Sequence, residues 1–406
     1  MNKRNLLKAA AAAAALAFAT PALAQENADA IHQRVLVLDG HVDVLQPWTL
    51  PRYFAPGGGS RANLQQLTNG GVDAVVYSVA VGPGPSDAAG VRAARAEADA
   101  KLTAIRAFAA ANPDRVAIAL RADDVERLHR EGKIAILIGF QNARSIGDDL
   151  SQLDAFYAQG VRIFAFNHAG HNALADSSRP SAGEPDARHG GLSARGRQAV
   201  TRLNNLGALI DVSQLSREAT LQTVALSTRP VVATHSNVRA LVDNTRNLSD
   251  EEIDAIARAG GVIQVTPFNA YLRGVDESAR APISALRQRF GLSADFSSPN
   301  QGYGTLAPGP QQQFLDELLV LTPRASVADY VNHIDYIVRR AGIEHVGIGT
   351  DFDHGAGIEG FNSESEAGNV TREFVRRGYS EAQIAAIWSG NFLRVLRASE
   401  SGARRR

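Results

Sequence analysis

Histidines and carboxylates follow several short apolar runs of this chain, in spacings that suit a divalent metal ion. His41 and Asp43 are separated by one residue, so an extended backbone points both side chains to the same side. His168, His235 and Asp351 each follow a later apolar run. Neutral imidazole and carboxylate are ligands that zinc and similar ions accept. These residues predict metal-assisted hydrolysis, in which a cation acidifies water and polarises a carbonyl group.

Composition narrows the chemistry further. The chain has no cysteine, which excludes a thiolate nucleophile, a disulfide framework and cysteine-ligated metal. Its 42 basic and 42 acidic residues leave no net charge, so no electrostatic signal for nucleic acid or for an acidic membrane surface is present. Two amides, Gln141 and Gln214, also follow apolar runs and complete a rim of polar side chains.

The apolar runs that precede these polar residues predict parallel strands. They are short, continuous and rich in β-branched residues, which is typical of strands buried on both faces. The strand candidates are Val35–Leu38, Ala74–Val79, Ile134–Ile138, Arg162–Phe166, Leu209–Val212, Val231–Ala233, Gly261–Val265 and His345–Ile348. Amphipathic helical stretches separate them, so an α/β fold of the (β/α)₈ TIM-barrel type is predicted, with its chemistry at the carboxyl ends of the strands. The alternative is an open doubly wound sheet, although no G-x-G-x-x-G motif follows the first strand.

The chain divides into four predicted parts. Residues 1–24 have the basic start, Ala-rich apolar run and Ala22-Leu23-Ala24 end of a secretory signal peptide, so we expect an exported protein; the alternative is an uncleaved Ala-rich helix. Residues 25–400 form the barrel domain. Residues 268–323, rich in Ser, Pro, Gly and Gln, are predicted to be a late, partly helical insertion. Residues 401–406 form a basic tail. No other stretch has the apolar length of a membrane span.

The order and spacing of the motifs resemble a known family of hydrolases. The matching segments are Asp39–Asp43, Gly70–Asp73, Gly160–Arg162, Asn167–His168, Ala175–Ser177, Gly191–Ser193, Leu206–Gly207, Leu209–Ser213, His235–Ser236, Arg246–Asn247, His333–Asp353 and Gly390–Asn391. Over nearly all of residues 25–400 the chain resembles the membrane dipeptidase, or renal dipeptidase, family. The resemblance implies a (β/α)₈ hydrolase with two zinc ions that cleaves dipeptides, and a homodimer, since family members often pair.

The resemblance also implies roles for individual residues. His41 and Asp43 resemble ligands of the first zinc ion. Asp351 resembles its further ligand and the acid/base that handles the proton of the attacking water. His235 resembles a ligand of the second zinc. His168 resembles the histidine beside the tetrahedral intermediate.

The resemblance also implies residues that bind the substrate, including its carboxylate. Arg246 resembles the arginine that holds it, and His168 is expected to contact the substrate as well. The neighbours Asp211 and Asp353 are predicted to orient ligands through hydrogen bonds. His171 and His354 are predicted to be loop residues.

Two positions depart from the family's pattern. The glutamate that bridges both metals is Gln141 here, and a histidine ligand of the second zinc is Gln214. An amide bridges two cations poorly, and loss of the imidazole removes a good nitrogen donor. We therefore predict one zinc ion, with the second site weak or absent; complete loss of metal stays open.

Three functions remain compatible with the sequence. The first is an exported metal-dependent dipeptidase with an altered site. The alternative is a catalytically impaired relative that binds small peptides or cell-wall fragments without turnover. A third is a hydrolase of the same barrel class that acts on another amide or ester.

Overall fold

The computed structural model describes residues 21–401 except 182, 297, 298, 300, 301 and 323. The predicted signal peptide lies outside the described residues as far as position 20, and the basic tail lies outside them from position 402. None of the helices in the described part combines the length and the hydrophobicity needed to cross a membrane.

The described residues form one nine-stranded parallel sheet. Its strands are β1 (Leu38–Asp43), β2 (Ala74–Ala80), β3 (Val116–Ile118), β4 (Ile134–Gln141), β5 (Val161–Ala165), β6 (Leu209–Asp211), β7 (Val232–Ala233), β8 (Val262–Val265) and β9 (Val346–Ile348). Hydrogen bonds join them in the order β1-β2-β4-β5-β6-β7-β8-β9, while β3 pairs with the first residues of β4 outside this order.

The segment that follows β9 closes the sheet against β1. Asp351 donates its backbone N–H to the carbonyl of His41 at 2.8 Å, and Asp43 donates to the carbonyl of Phe352 at 3.0 Å. Val42 and Phe352 pair in parallel across this seam. The predicted (β/α)₈ barrel is therefore confirmed, because eight parallel strands complete a ring with helices between them.

Helices alternate with the strands. They are α1 (Pro21–Arg34), α2 (Leu64–Asn69), α3 (Ala88–Ala111), α4 (Ala122–Arg130), α5 (Ser151–Ala158), α6 (Ala194–Leu206), α7 (Arg217–Leu226), α8 (Asp250–Arg258), α9 (Asn269–Leu272), α10 (Glu277–Arg289), α11 (Pro308–Leu321), α12 (Val327–Ala341), α13 (Ala367–Arg376), α14 (Glu381–Ala385) and α15 (Asn391–Glu400). Serine caps begin several of them: Ser249 and Ser326 each form a reciprocal capping box at the start of α8 and α12. These caps fix where the two helices begin.

The amino-terminal half of the barrel interior is apolar. Alternate strand residues such as Leu38, Val76 and Leu137 pack there against Phe392 and Leu396 of α15. This packing closes one end of the barrel, so polar side chains at the opposite, carboxyl end face a space that the core does not fill.

Segment 268–323 lies between β8 and β9, followed by α12. It includes α9, α10 and α11, and its buried residues Ile283, Leu286, Phe314 and Leu318 form an apolar cluster of their own. This segment thus packs around its own apolar cluster, and residues such as Tyr303 contribute side chains to the rim of the barrel.

The sequence did not predict β3, and the boundaries of two other strands differ from the prediction by three residues or more. Val35–Leu38 was expected to be the first strand, but β1 begins at Leu38 and contains the polar residues that were expected to follow it. Likewise β4 continues to Gln141. Hydrophobic runs mark where a strand is buried in the apolar core, whereas these strands continue because their polar residues line the site.

His333 provides a test of the packing between α12 and the barrel. Its Nδ1 accepts the N–H of Val238 at 3.0 Å, its Nε2 lies 3.3 Å from the carbonyl of Leu272, and burial lowers its pKa from 6.5 to about 4. As the pH falls, the unfolded chain therefore binds a proton at this histidine before the folded protein does. The stabilisation that comes from holding His333 neutral is lost as the pH falls from 6.5 to 4. His333→Asn keeps an acceptor but removes this titration.

We expect the difference in unfolding free energy between wild type and His333→Asn to shrink by about 3 kcal/mol between pH 7 and pH 4. Urea denaturation of both proteins at the two pH values measures it. A difference that stays constant with pH would show that His333 is not held neutral by its surroundings.

Candidate metal centre

A shift of register in β1 aims two ligand candidates into the barrel. The pairing of β1 with β2 is irregular between Asp39 and Val42. Gly40 lies at this shift, where a Cβ would be 2.2 Å from Oε1 of Gln264, so a side chain does not fit without displacing Gln264. A bulge of this kind turns the side chains that follow it. His41 and Asp43 consequently lie together, as predicted.

The first cluster joins β1 to the residue that follows β9. The Nε2 atom of His41 lies 3.3 Å from Oδ1 of Asp43 and 4.0 Å from Oδ1 of Asp351. His41 Nε2 and Asp43 Oδ1 are buried, and apart from this mutual contact neither has a hydrogen-bond partner among the described residues. Ligand atoms about 2.0–2.2 Å from one zinc ion stand at such separations, so the three residues fit a divalent ion.

The two carboxylates of this cluster differ in their readiness to take a proton. Burial raises the pKa of Asp351 to about 6, against the opposing effect of His354 and His41. Burial would also raise the pKa of Asp43, but His354 and His41 hold it well below its usual value. Asp43 is therefore the permanent anion of the pair, while Asp351 is suited to accept and return a proton.

Asp39 holds the ends of the two strands in place. Its Oδ1 accepts the N–H groups of His41 at 3.1 Å and Thr350 at 2.7 Å, and its Oδ2 accepts the Thr350 hydroxyl at 2.6 Å. Burial raises the pKa of the adjacent Glu364 well above its usual value, which favours the protonated form that can donate to Asp39. Asp351 adopts a left-handed backbone with φ of 56°, a conformation that this network supports.

The predicted second metal subsite has a different character. Nε2 of Gln141 and Nε2 of Gln214 lie 3.3 and 3.2 Å from Nε2 of His235. An amide nitrogen can only donate, so the two glutamines compete for the one lone pair of this nitrogen, which a metal ion would need. On the other side of the ring, Nδ1 of His235 lies 2.8 Å from Oγ1 of Thr234, which itself donates to Asp211. These residues do not fit a second ion.

Asp211 supports both imidazoles through Thr234. One of its oxygens accepts the N–H groups of Ser213 and Thr234, and the other accepts the Thr234 hydroxyl at 2.5 Å. Oγ1 of Thr234 also lies 3.4 Å from Nδ1 of His41. Asp211, His41 and His235 are close enough to form a second ligand cluster, but the hydrogen bonds of Asp211 give it the orienting role that the sequence predicted.

His168 follows β5 and meets a residue that the sequence did not assign to the site. Its Nε2 lies 3.0 Å from Nε2 of His354, whose Nδ1 lies 2.9 Å from Oδ2 of Asp43. His354 lies in a turn, as predicted, and its contacts with His168 and Asp43 bring it into the site. Burial, His354 and Arg179 hold the pKa of His168 well below its usual value, and its buried Nδ1 has no partner in the described structure.

Arg246 lies beneath the second subsite. It donates to the carbonyl of His235 at 2.7 Å and to the hydroxyl of Ser236 at 3.4 Å, and Tyr271 packs against its guanidinium group. Its Nε is buried without a partner among the described residues. Arg246 therefore braces the backbone of His235 and retains one donor.

The remaining two candidates serve the surrounding loops. Nδ1 of His171 accepts the N–H of Ser177 at 3.0 Å, which agrees with a structural role. Asp353 accepts the Ser60 hydroxyl at 2.5 Å and the Arg61 N–H at 2.8 Å, so it holds the loop after β1 to the rim.

A cavity of about 460 Å³ opens onto the first cluster. Asp43, His168 and His354 line its inner end, where Arg179 also faces it, and Trp48 lies at its exposed side. Arg179 was not predicted, because it lies in a loop without a recognisable motif. A space of this volume holds a small molecule such as a short peptide.

Comparison with known proteins identifies the class of barrel. Residues 25–406 match the family model for membrane dipeptidase, peptidase family M19. The structure of the probable dipeptidase PvdM from Pseudomonas aeruginosa is 37% identical, has a TM-score of 0.84 and covers 95% of this chain and 100% of that chain.

Curated relatives are more distant. Dipeptidase tcpJ of Claviceps purpurea (strain 20.1) is 29% identical over 291 residues, which are 71% of this chain and 57% of the relative. Dipeptidase 3 of Macaca fascicularis is 27% identical over 389 residues, 93% of this chain and 67% of the relative. The chain thus spans little more than half the length of the Claviceps relative.

Thr234 provides a test of the metal centre. Thr234→Val removes the hydroxyl that orients His41 and His235, so we expect zinc affinity to fall about 10-fold or more. A competition titration with a coloured chelator measures it. Thr103→Val, which removes only a hydroxyl bonded to its own helix, is the control. Equal zinc affinity in Thr234→Val and wild type would contradict the orienting role.

Proposed function

The chain belongs to the membrane dipeptidase family, and from this premise we propose that it is a metal-dependent hydrolase that cleaves the peptide bond of dipeptides. The observation that carries the proposal is the buried group of His41, Asp43 and Asp351, of which Asp43 lines a cavity of dipeptide size. Acceptor atoms left unpaired in the interior are costly unless a cation or donor meets them.

We propose that the bound metal ion is zinc and that each chain binds one such ion. His41, Asp43 and Asp351 would hold it, while Gln141 and Gln214 leave the second subsite without adequate ligands. A divalent ion supplies Lewis-acid chemistry there, because it polarises a carbonyl group and acidifies a water molecule.

The protein's own side chains then manage the proton and the charge. Asp351 accepts the proton of the attacking water as a carbon–oxygen bond forms, and returns it to the leaving nitrogen as the carbon–nitrogen bond breaks. The neutral His168, through its unpartnered Nδ1, faces the oxygen on which negative charge develops. Arg246 contributes positive charge for the substrate's carboxylate.

A second candidate function follows from the two glutamines. Because their amides form hydrogen bonds with Nε2 of His235, the second subsite is arranged for hydrogen bonding instead of metal binding. Such a site would suit a protein of this family that binds small peptides without hydrolysing them. The retained Asp351, with its raised pKa, favours the enzyme.

Export and pairing belong to the same proposal. The signal-like pattern of residues 1–24 supports export to the periplasm or the medium, where a dipeptidase would meet peptides and cell-wall fragments. The family resemblance supports a homodimer.

Asp351→Asn tests the catalytic proposal. Loss of a group that moves the proton should lower the turnover of alanyl-alanine about 10²–10⁴-fold in zinc-supplemented protein, because an amide cannot take the proton. Steady-state kinetics with a parallel zinc count separate this effect from metal loss. Asp148→Asn, an exposed carboxylate, should leave turnover unchanged. A wild-type protein that binds zinc but hydrolyses no dipeptide would support the binding function instead.

The double variant Gln141→Glu with Gln214→His tests the account of the second subsite. A carboxylate and an imidazole restore ligands beside His235, so we expect the zinc content at saturation to rise from about one to about two ions per chain. Elemental analysis after dialysis gives the count. An unchanged zinc content would mean that the two glutamines are not what weakens the subsite.

A further inference from the structure

Arg179 lies in a loop whose backbone is fixed on both sides. Its carbonyl accepts the N–H of Gly170, and its N–H donates to the hydroxyl of Ser177 at 3.1 Å. The preceding residue, Ser178, donates its N–H to the carbonyl of Gln214 at 2.9 Å. This arrangement ties Arg179 both to the loop that carries His168 and to the end of β6.

The guanidinium group of Arg179 reaches the second subsite. Its Nη2 donates to Oε1 of Gln214 at 3.2 Å, while Nε2 of the same amide donates to His235 at 3.2 Å. Arg179 thereby fixes the orientation of the amide. Gln214 itself has a φ of 67°, a left-handed conformation that a glutamine adopts only with support from its surroundings.

A fixed positive charge at this point disfavours a second cation. A divalent ion beside His235 would stand close to the guanidinium of Arg179, in a buried region where like charges repel strongly. The same charge attracts an anion. The Nε of Arg179 is buried without a hydrogen-bond partner in the described part of the chain, so one donor remains for a ligand.

Arg179 and Arg246 differ in their access to the cavity. Arg179 lines it together with Asp43 and His168, whereas Arg246 is 3% exposed and donates to the backbone of His235. The other cations along the wall are already engaged: Lys101 pairs with Glu97 at 3.1 Å, and Arg52 donates to Gln311 and lies over the Tyr53 ring.

We propose that Arg179 is a substrate-binding residue. Its guanidinium holds a carboxylate of the substrate in the half of the site where a second ion would otherwise sit. The site therefore works with one cation and one guanidinium, and selects peptides that carry a free carboxylate. The inference rests on the proposed function for the identity of the substrate, but not for the binding of the anion.

The binding test uses zinc-loaded, full-length mature protein in the Asp351→Asn background, so that the peptide is not consumed. Calorimetry compares alanyl-alanine with alanyl-alaninamide, which differs by the missing carboxylate. Arg179→Met should weaken alanyl-alanine binding about tenfold or more, the loss expected for a charge-assisted hydrogen bond, and change alaninamide binding less than about twofold.

Two further variants guard against misfolding. Arg179→Lys keeps the charge without the planar fork, so it should recover part of the lost affinity. Arg195→Met removes an exposed arginine paired with Asp148 and should leave both affinities unchanged. Equal losses for the two peptides in Arg179→Met, or no loss for either, would overturn the proposal.

Zinc binding provides an independent readout. In the background of Gln141→Glu with Gln214→His, adding Arg179→Met should tighten the second zinc ion about tenfold or more, because a repelling charge is removed. An unchanged second-ion affinity would show that the guanidinium does not occupy this half of the site.

The two proposals fail in different ways. If the protein hydrolyses no dipeptide but binds alanyl-alanine more tightly than alanyl-alaninamide, and this preference depends on Arg179, the dipeptidase function is refuted and the anion site is supported. A dipeptidase whose kcat/KM for alanyl-alanine is the same in wild type and Arg179→Met supports the function and refutes the role of Arg179.

Discussion

Closure of the barrel between β1 and the segment after β9 is the constraint on which the site depends. The buried Asp39 carboxylate accepts hydrogen bonds from both sides of this seam, at His41 and Thr350. Asp351 donates in turn to the carbonyl of His41. Because residues far apart in sequence meet only where the sheet closes, the ligand group of His41, Asp43 and Asp351 exists only in the folded barrel.

The fold could be predicted from the sequence more completely than the site. Continuous apolar runs located eight of the nine strands, because burial on both faces requires such runs. They failed at β1, where Asp39, His41 and Asp43 extend the strand beyond the apolar run, since hydrogen bonds across the seam replace hydrophobic burial.

Loop residues of the site could not be predicted by the same reasoning. His354 enters the site because Asp353 before it has a φ of 65° and is held by Ser60 and the backbone of Arg61. The position of Arg179 depends similarly on its contacts with the loop of His168 and with Gln214. Such directions arise from tertiary contacts that no local spacing encodes.

The buried atoms without partners divide the site into two chemical halves. His41 Nε2 and Asp43 Oδ1 can accept and so suit a cation, whereas the Nε atoms of Arg179 and Arg246 are donors that suit an anion. A buried polar atom without a partner costs about 1–3 kcal/mol, so a cation in one half and a carboxylate in the other would satisfy these atoms. His235, whose Nε2 atom is in hydrogen-bond contact with two glutamines, needs neither the cation nor the carboxylate. The proposed site thus divides its positive charge between one ion and its arginines, where the family resemblance implies two zinc ions.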